Sequence, residues 1–315
     1  MTNPAPLLVA KNPADWKNAF PAKPFATSHS LADHPLLQLP RLVELARAMP
    51  GDRIEYNGNK AVHGLAPEKQ PVVDLTPAEI VERIEAAGAW MVLKRVESEP
   101  SYKALLEEVL LGVAQQNGFS SLKEAGLTDI EGYIFISSAN STTPFHFDAE
   151  ENLFVQIKGH KFFHIFNNDD RTLVSDEELE INPAKHRNIK YDAKFEERAQ
   201  VFEMNGGDGM FTPHLWPHWV RTGESYSISM AITWKSAPVI RMNKLLAANG
   251  LMRNLGLPQS APGRKPMWDN TKVALYSAFR ATIEPLRRSE GMRRMLRGLV
   301  FGKKANYYYK PQKTA

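Results

Sequence analysis

The chain has 315 residues, 43% of them hydrophobic and 23% charged, with a formal net charge of +4. That is enough apolar material for one large core with additions, and it excludes a chain that is disordered overall. There is no cysteine, which excludes disulfides and thiolate metal ligands, so any metal must be held by His, carboxylate, carbonyl or water. Residues 1–10 show no signal-peptide pattern and no run reaches membrane-spanning length, so the expectation is a soluble cytoplasmic protein.

Residues 1–70 are rich in Pro and are expected to form an irregular wrapping arm with one helix over 36–48, whose apolar positions are Leu42, Leu45 and Ala48. Thr76-Pro77-Ala78-Glu79 reads as a capping box with Pro at the first helical position. The helix it starts carries Ile80, Val81, Ile84 and Ala87 and should end at Gly88. A buried strand is expected over 90–93. A second amphipathic helix follows over 102–117, with Leu105, Leu106, Val109, Leu110 and Val113 on one face and Gly118 as its stop.

From residue 130 the period changes to two, through 132–137, 152–157, 161–166, 209–212 and 225–234. Short strands separated by turn residues suit a mainly β fold with helical additions, a double-stranded β-helix or jelly roll flanked by N-terminal and C-terminal helices. The organisation expected is an arm over 1–70, the jelly roll over 71–236 and a helical region over 237–315, broken by a Pro/Gly-rich stretch over 256–265.

Within the β region, His146 and Asp148 form an HxD pair, and the stretch Phe211-Thr-Pro-His-Leu-Trp-Pro-His-Trp-Val220 holds two further histidines. Residues at i and i+2 of a strand face the same way, so the pair sets an imidazole beside a carboxylate. A third ligand, His214 or His218, would complete a 2-His-1-carboxylate triad, the donor set of non-haem Fe(II) sites with open positions. An isolated HxD also arises by chance. Lys161 offers the cation that a buried dianion needs, although Lys158-Gly159-His160-Lys161 also fits a solvated hairpin turn. His160 and His164 read as structural.

The block from Thr143 to Phe166 resembles the JmjC/cupin-like Fe(II)- and 2-oxoglutarate-dependent oxygenases. The nearest pattern is that of the asparaginyl hydroxylase of hypoxia-inducible factor and its bacterial cupin-like relatives. The resemblance covers residues 128–236 well and the flanks in outline. In that family the HxD is followed by an Asn, matched by Asn152, and by a Lys fifteen positions after the first His, matched by Lys161. Thr143 matches a cosubstrate-contacting Thr, and Gly207-Asp208, Pro213 and Trp216-Pro-His218 match a later stretch, which selects His218 over His214 as the distal ligand. Tyr133 and Phe135 fall where residues flank the cosubstrate, so Tyr133 could offer it a hydroxyl. One departure is visible: Ile232 stands two residues before Trp234, where the hydroxylase has Asn.

The resemblance thus implies a hydroxylase that binds iron through His146, Asp148 and His218. It would hold 2-oxoglutarate through Lys161, Thr143, Asn152 and Tyr133, releasing succinate and CO2. The substrate expected is a protein or peptide side chain, with a small molecule as the alternative. A non-catalytic cupin that binds a metabolite in a regulatory role is the reading from another class. By outline, the C-terminal helices would form a homodimer. Residues 287–304 hold seven basic residues against one acid, Glu290, interleaved with apolar ones. Such a stretch either contacts a membrane or nucleic acid or, as expected here, covers the barrel or a dimer mate.

Overall fold

The computed structural model describes residues 5–59, 73–181 and 189–283, together with 291, 292 and 295. Most of the basic segment over 287–304 and the tyrosines over 307–309 therefore lie outside the described residues.

The core consists of two antiparallel sheets. The larger has eight strands in the order β1-β2-β10-β7-β12-β5-β4-β3, and the smaller has four in the order β6-β11-β8-β9. The strands are β1 (Leu8–Ala10), β2 (Phe25–His29), β3 (Ile54–Gly58), β4 (Ala89–Lys94), β5 (Thr128–Ser137), β6 (Thr142–His146), β7 (Glu151–Lys158), β8 (Lys161–Ile165), β9 (Gln200–Met204), β10 (Asp208–Thr212), β11 (His218–Thr222) and β12 (Ser227–Lys235). This is the jelly-roll core with helical additions that the period-two pattern predicts.

β12 shows why the sheet forms. Ser227, Ser229, Ala231 and Thr233 alternate with Ile228, Met230, Ile232 and Trp234, and all eight are buried. The large apolar set joins a core with Leu105, Leu106, Val109, Leu110 and Val113 of helix α4 (Pro100–Gln116). Glu99 caps α4 by accepting the Tyr102 amide at 3.2 Å. Helix and sheet touch closely at Gly132, where a Cβ would lie 2.7 Å from Leu106 Cδ1.

The β7–β8 hairpin turns through Gly159 at φ +74°, where a Cβ would stand 2.2 Å from the Tyr226 carbonyl oxygen, so only Gly serves both the turn and the contact. This hairpin sets the start of β8, and with it Lys161.

Two sequence expectations are corrected. The Pro-rich N-terminal part is not an irregular arm: β1 and β2 extend the large sheet beyond β10, and β3 forms its opposite edge. Trp16 fastens this part by stacking edge-on against Phe25 at 5.0 Å and donating to Gln116 Oε1 at 3.1 Å. The helix begun by the Thr76/Glu79 capping box, α3 (Pro77–Glu82), stops before Gly88. There, the Ser138 hydroxyl donates to the Ile84 carbonyl at 2.6 Å and accepts the Ala89 amide at 3.0 Å. The chain after α3 closes in a turn, the Ala86 and Ala87 amides both donating to the Arg83 carbonyl at 2.8 Å, and the Ser138 bonds fix its exit.

The remaining helices are α1 (Asp15–Asn18), α2 (Leu39–Ala48), α5 (Asp176–Ile181), α6 (Ala237–Asn254) and α7 (Pro266–Ile283). Among the described residues no helix is long and apolar enough to cross a membrane.

Candidate metal centre

β6 and β11 are neighbours in the small sheet, and their ladder places His218 directly opposite His146. The register shifts between His218 and Val220, whose partner is Thr143, so β6 carries one extra residue beside the site. The two imidazole centroids lie 4.2 Å apart. Asp148 follows two residues past the end of β6, with one carboxylate oxygen 4.0 Å from His146 Nε2 and the other 3.7 Å from His218 Nε2. One donor atom from each of the three lies within 4.8 Å of the others, a spacing that fits one metal ion.

The hydrogen bonds set the imidazoles for that role. His146 Nδ1 donates to the Pro144 carbonyl at 2.7 Å and His218 Nδ1 to the Trp216 carbonyl at 2.9 Å. A carbonyl can only accept, so in each neutral ring the proton sits on Nδ1 and the Nε2 lone pair faces the centre. Burial, and then the neighbouring His146, push the His218 pKa well below its ordinary value, favouring the neutral, ligating form. Phe163 stacks on the His218 ring at 4.8 Å and fixes its plane.

A cavity of about 320 Å³ lies between the sheets and includes the triad. Lys161 enters it from β8, only 2% exposed, and donates to the Ser229 hydroxyl of β12 at 2.5 Å. No carboxylate partners its ammonium among the described residues. Burial alone lowers its pKa to about 7. Its nearest aromatic rings are Phe154 and Phe135, whose centroids lie 5.2 and 5.6 Å away.

Asn152 lines the same cavity, and its Oδ1 is buried without a hydrogen-bond partner. Thr143 also lines it, its hydroxyl accepting from Trp90 Nε1 at 3.0 Å. Tyr133 reaches the cavity too, but its hydroxyl donates to Glu131 rather than inward.

The three other histidines weighed in the sequence, His214, His160 and His164, do not line this cavity. His214 Nε2 meets Asn243 Oδ1 at 2.9 Å, and burial lowers its pKa to about 4. His160 lies 3.0 Å from Glu203, and His164 pairs with Glu196 while stacking on Trp219 at 3.9 Å. Ile232, the departure read in the sequence, points to the helix-covered face, and its neighbours Ala231 and Thr233 line the cavity instead.

Four cavity residues escape a sequence reading. Glu55 and Asn57 come from β3, and Lys94 from β4 forms an ion pair with Glu55. Glu150 is the fourth; burial, then the Asp148 charge, push its carboxyl up to about 7, opposed by Lys235 at 3.4 Å. Only Glu150 had a signal, its place two residues after Asp148.

The sequence model of the cupin-like domain family matches residues 41–239. No curated protein matches the chain. Among solved structures, the Escherichia coli ribosomal oxygenase YcfD in complex with cobalt and succinic acid is similar at 10% identity, over 93% of this chain and 72% of that one, with a TM-score of 0.44. The same protein with cobalt and 2-oxoglutarate aligns at 11% identity over the same shares, again at 0.44. The DMSP lyase DddQ of Ruegeria pomeroyi DSS-3 aligns at 16% identity over 34% of this chain and 39% of that one, at 0.23. Likenesses at this level carry no activity over to the chain.

Proposed function

The chain belongs to the cupin-like domain family, and on that premise we propose that it is an Fe(II)- and 2-oxoglutarate-dependent oxygenase that hydroxylates an unactivated C–H bond of a protein side chain. The observation that carries this reading is the pairing, in one cavity, of a three-donor His/Asp/His cluster with a buried lysine that no acid among the described residues neutralises. Natural chains seldom bury an unpaired ammonium, because desolvation makes it costly. A dianionic cosubstrate reaching from the metal to Lys161 removes that cost.

The residues present fit both groups. His146, Asp148 and His218 would hold the iron, leaving positions open. Bound iron supplies the activation of oxygen and the oxidising power, with 2-oxoglutarate consumed to succinate and CO2. Lys161, oriented by Ser229, would bind the far carboxylate. The Thr143 hydroxyl would donate to a cosubstrate oxygen, and the orphaned Asn152 Oδ1, an acceptor, would take a hydrogen bond from bound water. Trp90, Phe135, Phe154 and Phe163 line the walls and keep water from the reacting atoms.

The substrate reading rests on size. A cavity of about 320 Å³ is at the low end for pockets that enclose a whole small-molecule ligand, roughly 300–1,000 Å³. Shared with a cosubstrate, it suits one inserted side chain, with the rest of a polypeptide outside. The test is aerobic conversion of 2-oxoglutarate to succinate with added Fe(II), compared between wild type and His218→Ala, followed by a screen of peptides against metabolites for stimulation. Succinate formed at equal rates in both proteins would remove the assignment, and stimulation by metabolites alone would move the substrate class.

A further inference from the structure

His146 and His218 are held opposite one another by the β6–β11 ladder. Asp148 lies beyond that ladder, two residues after β6 ends. Its main chain is instead tied to the loop that leads into β11, since the Leu215 amide donates to the Asp148 carbonyl at 3.0 Å. That loop is itself strained: Leu215 sits at φ +64°, a left-handed conformation that a leucine keeps only where surrounding contacts enforce it.

Helix α6 reaches both segments. Asn243 Nδ2 donates to the Ala149 carbonyl at 2.7 Å, one residue after Asp148. Asn243 Oδ1 meets His214 Nε2 at 2.9 Å, one residue before Leu215. The Ala149 carbonyl can only accept, which fixes the amide's orientation, and the oxygen then turned to His214 can only accept its Nε2 proton. One side chain therefore joins the segment that carries the carboxylate ligand to the loop that delivers the distal histidine.

We infer that Asn243 is a positioning residue for the metal triad, through which the C-terminal helix α6 sets the place of Asp148 relative to His218. The inference rests on the metal-binding reading above. It also assigns His214 a role: this histidine locks the amide that holds the ligand-bearing segment. A contrast lies six residues further along the same helix, where Asn249, buried while Asn243 is half-buried, accepts from Lys272 Nζ at 2.6 Å and ties α6 to α7, away from the triad.

The experiment is a Co(II) titration of the metal-stripped 315-residue chain, following the cobalt absorption spectrum and its affinity. Wild type is compared with Asn243→Ala, the near-isosteric Asn243→Leu and Asn249→Ala, with thermal unfolding of each metal-free protein alongside. Partners that orient a metal ligand typically contribute ten- to hundredfold in affinity. Both Asn243 variants should therefore bind Co(II) about ten- to hundredfold more weakly and with an altered spectrum. Asn249→Ala should unfold at a lower temperature yet bind Co(II) as wild type does. Wild-type affinity and spectrum in both Asn243 variants, or an equal loss in Asn249→Ala, would overturn the positioning role. Wild type that binds no Co(II) would overturn the metal reading itself and the inference with it, a result distinct from either of those.

Discussion

The two faces of the eight-stranded sheet are both buried, yet they are built from different residues. On β12, Ile228, Met230, Ile232 and Trp234 pack under the helices, while Ser227, Ser229, Ala231 and Thr233 face the opposite sheet. The first face is filled with aliphatic and aromatic bulk. The second trades bulk for small and hydroxyl side chains, and into that space come Lys161, Asn152 and the triad. Apolar burial stabilises by roughly 25 cal/mol per Å², so a face that leaves room and buries a lysine with no acidic partner among the described residues, at the cost of its charge, gives up stability. The lesson is that one strand, by simple alternation, holds the fold with one set of residues and shapes a reaction chamber with the other.

Substitutions on the two faces should accordingly break different things. The largest effect is expected for Asp148→Ala, which removes the only acid of the triad: Fe(II) or Co(II) affinity should fall by more than the roughly hundredfold of a supporting-residue loss, and turnover should vanish. Calorimetric metal titration checks this, and full 2-oxoglutarate consumption in the variant would count against the site.

Next comes Lys161→Met, because a hydrogen bond to a charged group contributes about 1.5–3 kcal/mol. The affinity for 2-oxoglutarate should fall by about 10- to 150-fold. The ligand-free variant should nevertheless be more stable than wild type. The folded-state pKa of Lys161, about 7, lies below its ordinary 10.5, so between these values the unfolded chain holds more protons and wild-type stability rises with pH. The advantage of Lys161→Met is thus greatest below pH 7 and shrinks toward pH 10.5, a trend that denaturant melts at several pH values would reveal or refute.

On the helix-covered face the pattern should invert. Ile232→Ala should cost about 2–5 kcal/mol of folding stability through the cavity it leaves, measured by urea unfolding, while metal and 2-oxoglutarate affinities stay as in wild type. A loss of cosubstrate affinity there would contradict the separation of faces. The smallest expected signal is protonic. Because Lys161 is largely neutral above pH 7 in the ligand-free protein, binding 2-oxoglutarate at about pH 8 should take up close to one proton. Calorimetry in two buffers of different ionisation heat measures that uptake, which should disappear in Lys161→Met.

Much of this was legible in the sequence where the signal is local. The alternation over 225–234 and the facing of His146 and Asp148 follow from period-two geometry, whereas Lys161 was marked by the family resemblance, its place after a Gly-containing hairpin turn fitting a solvated lysine equally well. Alternation also shows why Ile232 leaves the cavity untouched: the residues on either side of it, Ala231 and Thr233, are the inward ones. What could not be read is what depends on distant chain. β1 and β3 are three and five residues long, with no repeat to reveal them, and only their pairing partners make them strands. Glu55 and Asn57 reach the cavity because β3 closes the sheet beyond β4. Asn243 lies 94 residues from the carbonyl it holds, on a helix whose sequence shows nothing of that contact.

On the proposed function, the triad and Lys161 form one site for a metal and a dicarboxylate. That is tested most directly by anaerobic titration of the metal-stripped protein with Fe(II) and then 2-oxoglutarate, recording the visible absorption of the chelated complex. A band should appear only with both components, disappear in His146→Ala and His218→Ala, and require far more 2-oxoglutarate in Lys161→Met. Iron bound with no such band, or a band indifferent to Lys161, would contradict the proposed function.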